Sequence, residues 1–186
     1  MPIDYRTLMD WSIPDARQDY GEKDCIVYAL GIGFGTDPLD PEHLRHVYES
    51  GLEAFPGMAM VLATGGPWAR NPETGIDYAK VVHAEQSFEL HRSLPVSGAV
   101  HSRSRVIGVV DKGEGRGAIV TTERQLFIDG SATPAATLTS SLFCRANGGF
   151  GGPAAASPRS EAMPERAPDF VTKLAIPAHL ALIYRL

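Results

Sequence analysis

Cysteine is nearly missing from this chain, and so is any excess of positive charge. Its two cysteines, Cys25 and Cys144, stand far apart with no CxxC spacing. That excludes a disulfide or zinc framework and leaves two reduced, buried thiols in a cytoplasmic protein as the expectation. Seventeen Lys and Arg against 22 Asp and Glu give a net charge of −5. Nucleic acid is therefore not the expected partner, because phosphate binding needs an excess of clustered cations. No run approaches the roughly 18 consecutive apolar residues of a membrane span. The opening "MPIDYRTLMDWSIPDARQDY" carries early acids and lacks the apolar core of a leader. There is no HExxH, no Ser-His-Asp spacing and no close carboxylate pair, so the residues alone yield no catalytic site.

What is present is a helical half followed by a stranded one. Apolar residues make up 44% of the 186, enough for one good core with an extra arm. "YGEKDCIVYALGIGFGTD" predicts a helix entered at Glu22 to Asp24, with Ile26, Val27 and Leu30 on one face and Gly31, Gly33 and Gly35 ending it. Asp40 before Pro41 is an N-cap with proline at the first helical position, and Gly51 follows that helix. Met58 to Ala63 are apolar but crowded by glycine and proline, which predicts a short helix or an irregular arm.

From Asp77 onward, four runs are separated by turn residues. "YAKVVHAEQSFELHRSLP" alternates Val82, Ala84, Gln86, Phe88 and Leu90 against His83, Glu85, Ser87, Glu89 and His91. "AVHSRSRVIGVVD", "GAIVTTERQLFID" and "ATLTSSLFCRA" follow after Ser97-Gly98, Lys112 to Gly115 and Asp129-Gly130. Helices first and an antiparallel meander after them predict an α+β fold with helix packed on one face of the sheet. Residues 147–168 then have a Gly, Pro, Ala and Ser linker composition, and 169–186 turn apolar again with the strand-like "IPAHLALIYRL". "CIVYALG" and "LALIYRL" share a short pattern that aligns Tyr28 with Tyr184 and Leu30 with Leu186.

Isolated motifs carry little chemistry. "GIGFG" closes a helix, whereas a dinucleotide loop opens one. His43 and His46 sit three apart without an obvious third ligand, flanked by Glu42 and Arg45 as on a solvated face. "NGGFGG" has the glycines of a phosphate cradle, but such glycines more often make a flexible exit from the last strand. His83, with Glu85 and Glu89 on the same side of the expected strand, begins a polar face.

Taken in order, "YALGIGFG", "LRHVYE", "VVHAEQSFELHRSLP", "VVDKGEG", "SLF" and "GGFGG" resemble the N-terminal half of the type 2 enoyl-CoA hydratases. These are MaoC-like dehydratases of the hot-dog fold, and the resemblance runs from about Tyr20 to Leu186. It implies a curved antiparallel sheet packed on a helix. It also implies three segments: 1–146 as the N-terminal hot-dog domain, 147–168 as linker and 169–186 as the first element of a second hot-dog domain. "IYRL" is similar to the start of the hydratase motif Y-R-L-S-G-D-x-N-P-L-H, so the chain is expected to be a truncated product or a fragment. The family's Asp and His, which hydrate trans-2-enoyl-CoA to (R)-3-hydroxyacyl-CoA, have no counterpart here.

The resemblance further implies that His83, Ala84 and Lys112 contact acyl-CoA. Ala84 stands where the family has glycine, and Lys112 suits a coenzyme A phosphate. No catalytic residue, metal or cofactor is expected in this chain, which would be inactive alone. The apolar stretch Phe55 to Trp68 is expected to wall the acyl group. The partners implied are an acyl-CoA substrate and either a second copy or a separate catalytic hot-dog chain. Two other roles fit the same fold: a non-catalytic acyl-CoA-binding subunit, and an acyl-CoA thioesterase using Glu85 or His83.

Overall fold

The computed structural model describes residues 2–154 and 163–186. Residues 155–162, in the middle of the expected linker, lie outside the described residues. The chain runs α1 (Tyr5–Met9), β1 (Ala16–Tyr20), α2 (Glu22–Gly31) and α3 (Pro41–Val47), followed by short 3-10 turns that include Pro56–Met60. Four longer strands follow: β2 (Val81–Leu90), β3 (Gly98–Asp111), β4 (Ala118–Ile128) and β5 (Ala136–Cys144). A last helix, α4, spans Leu180–Tyr184.

The helix starts behave as their sequences predict. The Asp24 carboxylate accepts the Gly21 N–H at 2.8 Å, and Asp40 accepts the Glu42 N–H at 2.9 Å. Two expectations change. α2 buries Cys25, Tyr28 and Ala29, while Ile26 and Val27 are half-buried and Leu30 is exposed. "LALIY" of the last segment is helical, and its Tyr184 ring lies 6.0 Å from that of Tyr28, so the two similar segments pack against each other.

All five strands are antiparallel, in the order β1-β3-β4-β5-β2. The meander therefore covers β3, β4 and β5 only. β2 crosses to the far edge and pairs with β5, because the seven residues 91–97 are too long for a tight hairpin and are bound elsewhere. Along that crossing, His91 N–H donates to Ala135 O, Leu94 is buried, and Pro95 O accepts the Tyr20 hydroxyl at 2.6 Å. β1 was not expected: "ARQDY" has no apolar alternation, and it pairs with β3 through its backbone.

One face of the sheet carries the core. Val100, Leu126, Ala136 and Leu138 meet Met58, Ala59, Leu62, Cys25 and Tyr28 at one end. Val106, Val109, Ala118, Val120 and Cys144 meet Ile3, Leu8, Ile13, Ala69 and Ile76 at the other. The segment crossing this face is the irregular arm, held by polar clamps. Arg124 donates to the carbonyls of Ala59, Met60 and Leu62, and the Ser102 hydroxyl donates to Ala63 O. The Gln18 carbonyl oxygen accepts the Ala63 N–H. Ala63 is held at φ 47°, a left-handed conformation that a non-glycine residue enters only under such restraint.

Candidate functional site

A β-bulge decides where His83 points. His83 pairs with Leu142 and Glu85 pairs with Ser141, so Ala84 is the extra residue in β2. A bulge reverses the alternation beyond it. His83 consequently shares the core-facing side with Gln86, Phe88 and Leu90, whereas Glu85, Ser87 and Glu89 point to the other face with Val82. The sequence pattern alone had placed His83 beside Glu85 and Glu89; the structure separates them. The His83 Nε2 atom lies 3.2 Å from the Ser140 hydroxyl and 2.9 Å from Glu85 O. The imidazole is thus tied to β5 and to its own bulge, and no carboxylate among the described residues forms an ion pair with it.

Lys112 begins the turn between β3 and β4, and that turn is held by the residue before it. The Asp111 carboxylate accepts the N–H groups of Gly113, Gly149 and Gly151, each at 2.8 Å. These bonds hold its carboxyl below the usual carboxylate range, Gly149 and Gly113 contributing most. The glycines of "NGGFGG" do form an anion cradle, and the anion is Asp111. Lys112 is exposed, and its ammonium lies 5.6 Å from the centre of the Phe143 ring. Leu142 and Phe143 alternate faces, so His83 and Lys112 flank consecutive residues of β5 from opposite sides of the sheet.

Between the two apolar clusters lies a recess of about 190 Å³. Met60 and Trp68 of the arm close it, over a polar row of Gln86, Ser140, Thr122 and Ser104 with Arg124 at its side. Met58, Ala59, Leu62 and Ala63 are buried in the core and do not wall an open acyl site as expected. Arg124 is pushed down to about 10 by burial, and its Nη1 and Nη2 groups donate to three backbone carbonyls. The recess therefore offers hydroxyl and amide groups beneath the His83–Ser140 pair.

Comparison with known proteins decides the family: the MFE-2 hydratase 2 N-terminal domain matches residues 18–146. The chain belongs to that family. It is 31% identical to the enoyl-CoA hydratase ChsH3 of Mycobacterium tuberculosis, over all of this chain and 65% of the relative. A MaoC-like dehydratase from Phytophthora capsici superposes with a TM-score of 0.75 at 28% identity, covering 97% of this chain and 62% of that one. The full-length peroxisomal multifunctional enzyme type 2 of Drosophila melanogaster gives 0.68 at 26%, covering 92% and 29%. The chain thus spans less than two thirds of each of these relatives. Its fold is the hot-dog fold of the MaoC-like dehydratases.

Within this hydratase 2 N-terminal domain, the two histidines of α3 belong to an aromatic cluster. His43 and His46 pack edge-on to Phe34, with ring centres at 5.3 and 4.9 Å, and His46 Nδ1 meets Glu53 O at 2.8 Å. Among the described residues, no group of three or more His, Cys, Asp or Glu is placed to hold a metal ion. None of the described helices is long and apolar enough to cross a membrane. Sequence reading missed Asp111 and Arg124. The signal for Asp111 was an acid directly before a glycine-rich turn; the signal for Arg124 was a cation at the core parity of a strand.

Proposed function

We propose that this chain is the substrate-accommodating half of an (R)-specific 2-enoyl-CoA hydratase, which reversibly hydrates trans-2-enoyl-CoA to (R)-3-hydroxyacyl-CoA. The observation that carries this reading is the bulge at Ala84. At the position where the resemblance places an acyl-CoA contact, the bulge turns His83 to the inner face above a polar recess. His83 then hydrogen-bonds the thioester and pantetheine region, and Lys112 at the wet rim meets a coenzyme A phosphate as a compact point charge. The chemistry requires no cofactor beyond the thioester's own coenzyme A.

An acid and base for hydration come from a partner domain carrying the Y-R-L-S-G-D-x-N-P-L-H motif. In support, His83 is bound to a hydroxyl and a carbonyl, while Glu85 points to the other face. The same separation disfavours a thioesterase built on Glu85 with His83. Partnering is supported by β2: among the described residues its outer edge is unpaired, and Val82 and Phe88 are exposed. A second copy or a catalytic hot-dog domain fits that edge. A cytoplasmic setting is supported by Cys25 and Cys144, both free and buried, with thiols pushed up to about 11 by burial.

The test is loss of enoyl absorbance from crotonyl-CoA and decenoyl-CoA, with this chain alone and with the chain joined to the motif-bearing domain. Hydration by the joined protein only is the expected result. Turnover by the 186 residues alone would place an acid and a base within them and overturn this division of labour.

A further inference from the structure

The polar recess between the two apolar clusters holds a cation without a counter-ion. Arg124 stands on the core-facing side of β4, charged at neutral pH, and among the described residues it forms no ion pair. A charge taken out of water is ordinarily paired with an opposite one. Here three neutral carbonyls, those of Ala59, Met60 and Leu62, stand in for it. The acids of the sheet are turned away. Glu85 and Glu89 of β2 and Glu123 of β4 lie on the outer face, where Glu123 already meets Arg105 at 2.8 Å. Asp111, at the far end of β3, is bound by backbone N–H groups.

The clamp on the arm leaves donors over. The carbonyls accept from Nη1 once and from Nη2 twice, so Nε–H and one hydrogen of Nη1 are unused. Among the described residues Nε has no acceptor, yet it is not sealed off, so its N–H opens on the recess that Arg124 lines. Ser104 stands directly opposite Arg124 in the register and lines the same recess. Unlike the hydroxyls of Ser102 and Ser140, that of Ser104 is engaged by no described residue. Ile13, Met60, Trp68 and Leu138 supply apolar walls around this polar floor. His83 shares a cross-strand row with Leu142 and Val120, and Arg124 lies four residues beyond Val120 on β4. Two strand spacings across the sheet and that length along it put His83 and Arg124 roughly 16 Å apart.

We propose that Arg124 and Ser104 form a subsite for a carboxylate at the far end of an acyl chain, so that this protein prefers ω-carboxyacyl thioesters to unsubstituted ones of the same length. The inference rests on the acyl-CoA reading and adds to it a selectivity at the distal end. A carboxylate there supplies the counter-charge that Arg124 lacks, and it accepts from Nε–H and from the Ser104 hydroxyl. A methyl-terminated chain covers the same floor without pairing it, at the cost of desolvating those donors. One guanidinium and one hydroxyl match a monoanion, whereas a dianionic phosphate needs more cations than the recess holds. The apolar walls take the methylenes, and the separation from His83 calls for a chain of medium length.

The experiment is calorimetric titration of the full chain with decanoyl-CoA, its ω-carboxy counterpart sebacoyl-CoA, and free sebacate. It compares the wild type with S104A and S104D and leaves Arg124 in place, because the arm depends on it. S104D tethers a carboxylate opposite Arg124 and fills the subsite from within. The wild type is expected to favour sebacoyl-CoA over decanoyl-CoA by about tenfold, less as salt rises. S104A should reduce that preference, and S104D should erase it while keeping an equal or higher melting temperature. Equal affinities for the two thioesters in the wild type, or a preference that survives in S104D, overturn the subsite and leave the acyl-CoA reading intact. If S104D does not fold, S104A decides, since an undiminished preference there overturns the subsite as well. Failure of both thioesters to bind overturns the acyl-CoA reading itself. Sebacate that binds nonetheless, and is lost in S104D, then assigns the recess to a free dicarboxylate and overturns the acyl chain as the carboxylate's source.

Discussion

Asp111 accepts the N–H of Gly149 at 2.8 Å, joining the end of β3 to the chain that leaves β5. The same carboxylate holds Gly113 and Gly151, so one side chain orders both loops beside Lys112. Asp111→Asn keeps the shape but replaces one acceptor oxygen with a donor that faces N–H groups. It should lower the melting temperature and loosen the Lys112 turn, read as faster amide exchange at Gly113 and Gly149. The pH dependence has a definite sign. A carboxyl held below its usual range contributes stability that is present above the unfolded value of about 3.9 and is lost as pH falls through the folded value. The stability gap between wild type and Asp111→Asn should therefore be constant at neutral pH and close below about pH 4. A gap that persists there would show that packing, not charge, is what Asp111 supplies.

Arg124 is the cation that the core tolerates because three carbonyls of the arm need donors. Its burial depresses its proton affinity to about 10, still far above neutral pH, so it remains charged while holding Ala59, Met60 and Leu62. Arg124→Met leaves those carbonyls without partners at the recess and should cost about 2–4 kcal/mol in denaturant unfolding. Arg124→Lys keeps the charge but not the planar fork, and should recover only part of the loss. A full recovery by lysine would mean that charge alone fixes the arm.

Gly31 and Tyr184 meet backbone to backbone: a Cβ on Gly31 would lie 2.9 Å from Tyr184 Cα. That approach allows α4 to seat on α2. Gly31→Val should displace α4 at a cost of about 1–3 kcal/mol. Amide exchange of Leu180 to Tyr184 should accelerate markedly, while β3, β4 and β5 keep their protection. Unchanged exchange in α4 would show that the helix gains its order from its own sequence.

Much of this was legible in the residues, and the failures have physical reasons. Asp40-Pro41 marked a helix start because capping is local chemistry, and glycine-bearing turns marked the ends of β3, β4 and β5. Strand partners are not local. Nothing in "HRSLPVS" says that β2 crosses to β5, and "ARQDY" joins the sheet through its backbone without an apolar face to announce it. The bulge was invisible because Ala84 is an ordinary strand residue, and missing it moved His83 to the wrong face. "NGGFGG" was weighed as a phosphate cradle and set below a flexible strand exit, because the anion it binds, Asp111, lies 38 residues earlier than Gly149 in the sequence.

Ala84 itself supplies a last test. The resemblance places glycine at this position, and a first thought is that Ala84→Gly would restore a better fit. The structure argues otherwise for stability. Ala63 is the non-glycine residue found at positive φ among the described residues, so Ala84 occupies the bulge without left-handed strain. Glycine there gains no relief and adds unfolded-state freedom, so Ala84→Gly should destabilise the chain by about 0.5–1 kcal/mol. Its effect on binding should run the opposite way: removing the methyl lets the thioester approach the β2 backbone beside His83. Titration with a saturated acyl-CoA should therefore show equal or tighter binding by Ala84→Gly despite its lower melting temperature. Weaker binding would mean that the bulge positions His83 through its stiffness, and that the methyl group contributes to it.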